Sequence, residues 1–357
     1  MRRLGISVYP QYETIEKWKD YISQAAKLGF SHIFTCLLSL ENEADILKFK
    51  SIMRHARTLG FTVLADVSPS VLHRYNLTYK ELKFFEELGV TGIRLDEGFS
   101  GFEESIMSCN PYGLTVDINL SGGSKVIERL LEFQPNLSQI SVTHNFYPMP
   151  YSGLSREHAL QTLKTAKKNG ISTSVFVNAK SAKYGPWPLS NGLCTLEMHR
   201  DLDIMTQVKD WFNTNLVDTV IIANAFASSE ELESVSIVSK GILELRLECE
   251  KLPKIYEKIL FEELHFHRGD ISEYLIRSTQ SRVKYKGENF PLINVRDIEV
   301  GDVLIHSSEN SRYAGEMNIA LKPMKNSGAI SIVGNIASEE LFLLLQIKPW
   351  QKFILKK

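Results

Sequence analysis

The sequence predicts a (β/α)8 barrel followed by a small C-terminal β-domain, on three observations. Short β-branched runs alternate with amphipathic stretches. Glycines at 29, 60, 89 and 170 stand where a helix C-cap belongs, just ahead of the next run. The alternation then stops near residue 230 and gives way to short strand-like segments. Strand–helix alternation implies parallel strands joined by crossover helices. Eight such runs within about 230 residues match the length and count of a closed barrel. A doubly wound sheet usually has fewer strands and often a glycine-rich first turn, and "VYPQYET" has none.

In order, "LGISVY" leads into "TIEKWKDYISQAAKLG", "FSHIFTCLLS" into "ADILKFKSIMRHARTLG", and "FTVLADVSP" into "LTYKELKFFEELG". "VTGIRLDEGF" leads into a shorter segment ending "NPYG". "LTVDINLS", "LSQISVTHNFYP", "ISTSVFVNA" and "DTVIIANAFAS" complete the eight. The barrel domain is expected over 1–240. After a connector, "YLIRSTQSRVKY", "RDIEVGDVLIHSS", "MNIALKP", "GAISIVGNI" and "LFLLLQIKPW" read as a small antiparallel barrel or sandwich over 250–357.

The 357 residues carry a formal net charge of −1, which gives no basic face for nucleic acid or anionic lipid. Four dispersed cysteines with no CxxC pair read as reduced thiols. The N-terminus lacks the apolar core of a signal peptide, and no apolar run is long enough to span a membrane, so a cytoplasmic protein is expected. No GxGxxG, P-loop or HExxH is present, and the His265–His267 pair has no third ligand nearby; neither a cofactor nor a metal is expected.

Barrel enzymes carry their chemistry at the C-terminal ends of the strands. Polar residues gather there: Tyr9, Ser39, Asp66, Arg94 with Asp96, Asp117 with Asn119, His144-Asn145-Phe146-Tyr147, Asn178 and Asn224. Amides, carboxylates and aromatic rings suit a polyhydroxylated substrate. The competing reading is that the short polar residues cap the following helices. By strand alternation Arg94 and Asp96 share a face while Glu97 points away. Asp66 lies one strand over, at the spacing of about 4.8 Å between strands. Asp66 and Asp96 can then approach to roughly the 5–9 Å of paired glycosidase carboxyls. The loop "YGPWPLSNGLCTLEMHR" (184–200) adds Trp187, Glu197, His199 and Arg200 to the same rim. Glu197 reads either as a functional carboxylate or as part of a helix start capped by Thr195. Lys180 would suit a Schiff base only in a desolvated pocket.

The stretches "GISVYP", "IFTCLLS", "DVSP", "IRLDEGF", "HNFYP", "GPWPLSNGLCTLEMHR" and "GDVLIHSSENSRYAGEMNIALK" resemble the bacterial 6-phospho-N-acetylmuramidase (MupG-type) family, along the whole chain. The resemblance implies a barrel with a cyclophilin-like C-terminal domain. It also implies cytosolic cleavage of N-acetylmuramic acid 6-phosphate–N-acetylglucosamine in cell-wall recycling. Within the matching motifs the acid candidates are Asp66, Asp96 and Glu197. Asp96 would work with Asp66 or Glu197, or else would orient the substrate's own acetamido group while Glu97 protonates the leaving oxygen. Arg94, Asn119, Asn145, Tyr147, His199 and Arg200 would position the sugar. Arg277, Arg282 and Arg312 in the C-terminal part are the expected phosphate contacts. A sugar-phosphate isomerase or aldolase, and a non-catalytic carbohydrate-binding protein, stand as alternatives.

Overall fold

The computed structural model describes residues 2–37, 40–187, 191–238 and 241–357; Ser39, one of the strand-end residues, lies outside them. The chain forms two compact units, 1–239 and 240–357.

In the first unit eight parallel strands close on themselves: β1 (Arg3–Val8), β2 (His32–Cys36), β3 (Thr62–Val67), β4 (Gly92–Leu95), β5 (Thr115–Asn119), β6 (Ile140–Thr143), β7 (Ser172–Val177) and β8 (Thr219–Ile222). β1 pairs with both β2 and β8, and that pairing completes the barrel. The strands are apolar on both faces because one face fills the barrel and the other packs on helices. The interior includes an aromatic cluster in which Phe34 and Phe176 lie 4.9 Å apart and Phe146 lies 5.0 Å from Phe176.

The crossover helices begin and end where the sequence signals them. Thr14, Asn42, Ser155 and Asp203 each accept a backbone N–H three residues on, which satisfies donors that the first helical turn leaves unpaired. The glycines at 29, 60, 89 and 170 all have positive φ, between 73° and 89°. At three of them the next residue closes a helix-terminating bond: Phe30 to Ala25, Phe61 to Ala56 and Ile171 to Ala166, each at 3.1 Å. That apolar residue is buried and enters the following strand, so one turn both ends a helix and aims the chain into the barrel.

The second unit holds a seven-stranded sheet: β9 (Leu243–Glu248), β10 (His265–Phe266), β11 (Leu275–Ser278), β12 (Asp302–His306), β13 (Met317–Ala320), β14 (Ile330–Ile336) and β15 (Lys352–Lys356). Its order is β10-β15-β9-β14-β12-β13-β11. The sheet is mixed rather than purely antiparallel, because β15 runs parallel to β9. β9 lies ahead of the boundary at 250, inside the segment that the sequence reads as a connector. It alternates buried residues with partly or fully exposed ones and supplies Leu243, Leu245 and Leu247 to this unit's own core. His265 is buried here with its nitrogens bonded to Ser278 Oγ (3.0 Å) and the Ile259 carbonyl (2.9 Å), a structural role for the pair's first member.

Candidate active site

Parallel register decides which side chains share a level of the barrel. Asp66 on β3 pairs with Arg94 on β4, Arg94 with Asp117 on β5, and Asp117 with Ser141 on β6. Register neighbours in a parallel sheet point to the same face. A carboxylate, a guanidinium and a second carboxylate therefore stand side by side on three adjacent strands. Asp96, two residues beyond Arg94, rises above the same face.

Arg94 is the hub. One nitrogen, Nη1, donates to Asp66 Oδ1 at 2.6 Å and to Asp96 Oδ1 at 3.3 Å. The other terminal nitrogen donates to the Asn145 side-chain oxygen, and Nε lies 3.8 Å from Asp117 Oδ1. Because both aspartates meet one nitrogen, their Oδ1 atoms are less than about 6 Å apart. Exposure is graded from floor to rim: Arg94 is 2% and Asp117 0% exposed, whereas the side chains of Asp66 and Asp96 are 17% and 45% exposed.

Three carboxylates around one guanidinium in a buried place favour uptake of a proton. Burial raises the Asp66 carboxyl, Arg94 opposes the rise and Asp96 adds to it. Burial pushes Asp117 up to about 6, again against Arg94, while Ser141 and Thr143 donate to its Oδ2 at 2.5 and 2.8 Å. Arg94 itself stays charged, because Asp66 and Asp117 outweigh the desolvation that would lower it. Asp117 has no route to a ligand. It holds charge beneath the site and was named in the sequence only as a strand-end residue.

The amides brace the rim. Asn119 donates to the Asp96 carbonyl at 3.2 Å and accepts from Ser121 N–H at 3.0 Å. The Asn145 N–H donates to Ser121 Oγ (2.7 Å), and its carbonyl accepts from Thr195 Oγ1 (2.9 Å). Tyr147, half-buried, pairs by its backbone with Cys194. Phe146 continues the aromatic floor to the exposed ring of Trp187, 6.3 Å away. His144 and Tyr9 belong to the core: His144 Nε2 meets Thr162 Oγ1 at 3.1 Å, and Tyr9 donates to the Ala223 carbonyl at 2.6 Å.

The long loop departs from its expected role. Glu197 accepts from Tyr151 N–H and Gly153 N–H, both at 2.8 Å, and from the Arg200 fork at 2.7 Å on each oxygen. The Arg200 bonds and those two N–H groups pull its carboxyl down to about 2. Such a group neither holds a proton at neutral pH nor keeps a free lone pair for a base. A side chain at Gly153 would strike the Glu197 backbone nitrogen at 2.6 Å, so the close approach requires glycine. Arg200 also donates to the Tyr147, Met149 and Asn191 carbonyls, which leaves it no donor for an anion. The pair is a clip between two loops. His199, expected to touch the sugar, is 0% exposed and meets Asp210 at 2.8 Å beneath the loop. Burial alone would raise Asp210, but His199 and Arg156 outweigh it and hold it low. Thr195 caps no helix; its Oγ1 accepts from Phe176 N–H at 2.9 Å and ties β7 to the β6 loop.

The three arginines expected to bind phosphate all lie in the second unit, and the structure gathers them. Arg277 and Arg282 both pair with buried Glu316, at 2.8 and 2.9 Å. Arg282 and Arg312 sit over the ring of Tyr313, at 5.3 and 6.0 Å. A protein carboxylate already occupies two of these guanidinium groups. Among the described residues no three His, Cys, Asp or Glu side chains are grouped to hold a metal ion. Lys180 is exposed, not in the desolvated pocket that a Schiff base requires.

A crystal structure of an uncharacterized B. cereus protein is 42% identical to this chain, with a TM-score of 0.94, over 100% of this chain and 99% of that one. A conserved Enterococcus faecalis protein of unknown function has the same fold at 23% identity, with a TM-score of 0.76, over 99% and 96%. Comparison with curated proteins returns no match. Two family models cover nearly the whole chain: "6-phospho-N-acetylmuramidase, N-terminal" over residues 4–237, and "6-phospho-N-acetylmuramidase, C-terminal" over 243–356. The chain belongs to the 6-phospho-N-acetylmuramidase family and is a glycoside hydrolase.

Proposed function

We propose that the protein hydrolyses N-acetylmuramic acid 6-phosphate–N-acetylglucosamine, with Asp66 and Asp96 as its working carboxyls. The observation that carries the roles is the shared Arg94 nitrogen, which brings the two aspartates within about 6 Å. That closeness favours a retaining displacement over the wider spacing, roughly 6.5–9.5 Å, of an inverting pair. Asp66, raised by burial and by its neighbour's charge, is the proton donor. Its proton goes to the glycosidic oxygen as the bond to the anomeric carbon breaks. Asp96, more open to the barrel mouth, supplies the electron pair that bonds that carbon. Water then displaces Asp96, and the water's proton returns to Asp66.

Arg94 orients both groups through its shared nitrogen. Glu97 lies exposed on the turn, and Glu197 is locked in its clip; neither is assigned the acid role. The C-terminal unit, matched over 243–356 by the family's C-terminal model, is read as cyclophilin-like, as the sequence resemblance implies. Its cellular setting is the cytoplasm, in cell-wall recycling, because a phosphorylated sugar does not readily cross a bilayer.

The test incubates purified protein with the phosphorylated disaccharide and its unphosphorylated form, with Asp96→Asn in parallel, and follows products by mass spectrometry. Release of both monosaccharides from the phosphorylated form, lost in the variant, is expected. No cleavage of the phosphorylated form by the native protein refutes the proposal.

A further inference from the structure

We infer that the mouth of β7 and β8 is the subsite for the substrate's phosphoryl group, held by the ammonium groups of Lys180 and Lys183; this rests on the phosphosugar reading above. A cavity of about 650 Å³ opens there, and Asn178, Lys180, Lys183, Gly192, Arg200 and Asn224 are among the residues that line it.

The backbone that carries the two lysines is pinned. The Asn224 side chain accepts from Ala179 N–H (2.9 Å) and donates to the carbonyls of Ala179 (2.7 Å) and Ala182 (3.1 Å). The Glu231 carboxylate accepts from Lys180 N–H at 2.7 Å and Ser181 N–H at 3.3 Å. The N–H groups of Lys183 and Tyr184 both reach the Ala225 carbonyl, at 3.0 and 2.7 Å. Gly192 holds φ +72° against the Asn178 amide, where any side chain would lie 2.5 Å from Asn178 Oδ1.

Against that rigid frame the two lysine heads are unengaged. Both residues are exposed, and no acceptor among the described residues takes either ammonium. What sets these two lysines apart is that both line one cavity. Two unpaired cations on a fixed loop at a barrel mouth form a pre-organised receptor for a dianion. The cavity's other cation, Arg200, is neutralised by Glu197, so the lysines are its working charge, with exposed Asp201 the opposing one.

Position agrees with this. In the closed strand order β7 and β8 stand on the opposite arc from β3 and β4. Eight strands at their usual spacing and tilt enclose a mouth roughly 15 Å across. Aspartate and lysine side chains reaching in from opposite rims leave room for one phosphorylated pyranose. Its anomeric carbon then lies at Asp96 and its C6 substituent at Lys180 and Lys183.

Muramic acid offers a second anion, its lactyl carboxylate, so the test separates the two. Calorimetric titration of the full chain uses N-acetylmuramic acid 6-phosphate, N-acetylmuramic acid and N-acetylglucosamine 6-phosphate, with native protein, K180A/K183A and K180R/K183R. The alanine pair is expected to weaken both phosphorylated sugars by roughly 10- to 100-fold, as loss of charged hydrogen bonds does. N-acetylmuramic acid should bind unchanged, the arginine pair should restore much of the loss, and in turnover KM should rise far more than kcat falls. An alanine pair that keeps the preference for phosphorylated sugars overturns the inference. So does one that weakens N-acetylmuramic acid but not N-acetylglucosamine 6-phosphate, which assigns the lysines to the carboxylate. Native protein that fails to cleave the phosphorylated disaccharide instead removes the phosphosugar reading beneath it.

Discussion

The two arcs of the barrel mouth handle charge in opposite ways. On β3–β5 a single buried guanidinium gathers three carboxylates, so the groups are close, coupled and only partly hydrated. On β7–β8 one carboxylate, Glu197, is fully satisfied by Arg200 and two N–H groups, while Lys180 and Lys183, on a pinned loop, meet no acceptor among the described residues. Crowded carboxyls have shifted proton affinities and suit bond cleavage. Free cations suit holding an anion without changing it. The contrast shows that an ionisable residue at a barrel rim acquires its role from its partners, not from its position alone.

That contrast can be broken at several points. The largest effect is expected from the carboxyl pair: Asp66→Asn and Asp96→Asn should each lower kcat by roughly 10²–10⁴-fold in steady-state assays while the fold persists. Next is the hub. Arg94→Ala leaves Asp66 and Asp117 without their buried counter-charge, a change that typically costs about 3–5 kcal/mol. A fall in melting temperature of roughly 6–20 °C should be visible by calorimetry.

Asp117 sharpens the same arc through pH. Its folded carboxyl titrates near 6, above the ordinary value of 3.8, so the folded state holds a proton that the unfolded chain has released. Its contribution to stability is therefore greatest below about 4 and declines as pH rises through about 6. Buried His32 and His144, both lowered to about 3, tilt stability the opposite way over an overlapping range. The difference between native protein and Asp117→Asn, measured by denaturant unfolding from pH 4 to 7, isolates the effect. The variant should lose this downward slope.

The smallest catalytic effect belongs to the other arc. Glu197→Gln should lower stability by about 1–3 kcal/mol through the clip, yet change kcat less than roughly tenfold, below the usual range for a lost acid–base group. A larger kcat loss at unchanged stability would return Glu197 to the chemistry.

Much of this architecture is legible in the sequence because its causes are local. A C-cap glycine, a buried apolar run and strand alternation each operate within a few residues. They suffice for the barrel, and for placing Arg94 and Asp96 on one face with Asp66 beside them. The roles of Glu197, Arg200 and His199 were not legible. Their partners are backbone N–H groups at Tyr151 and Gly153, carbonyls at Tyr147 and Met149, and Asp210 on a separate helix. Backbone groups leave no mark in a residue pattern. The pairing of Arg277 with Glu316 was hidden for a related reason, since it depends on β11 lying against β13. Lys180 and Lys183 stand out only once the fold places both on one cavity.

The most direct test of the central claim is the anomeric configuration of the sugar as it is released, followed by proton NMR before mutarotation. Two aspartates whose Oδ1 atoms lie less than about 6 Å apart, acting as the retaining pair proposed above, predict release of the same anomer that the substrate contains. Release of the opposite anomer would contradict the Asp66–Asp96 assignment.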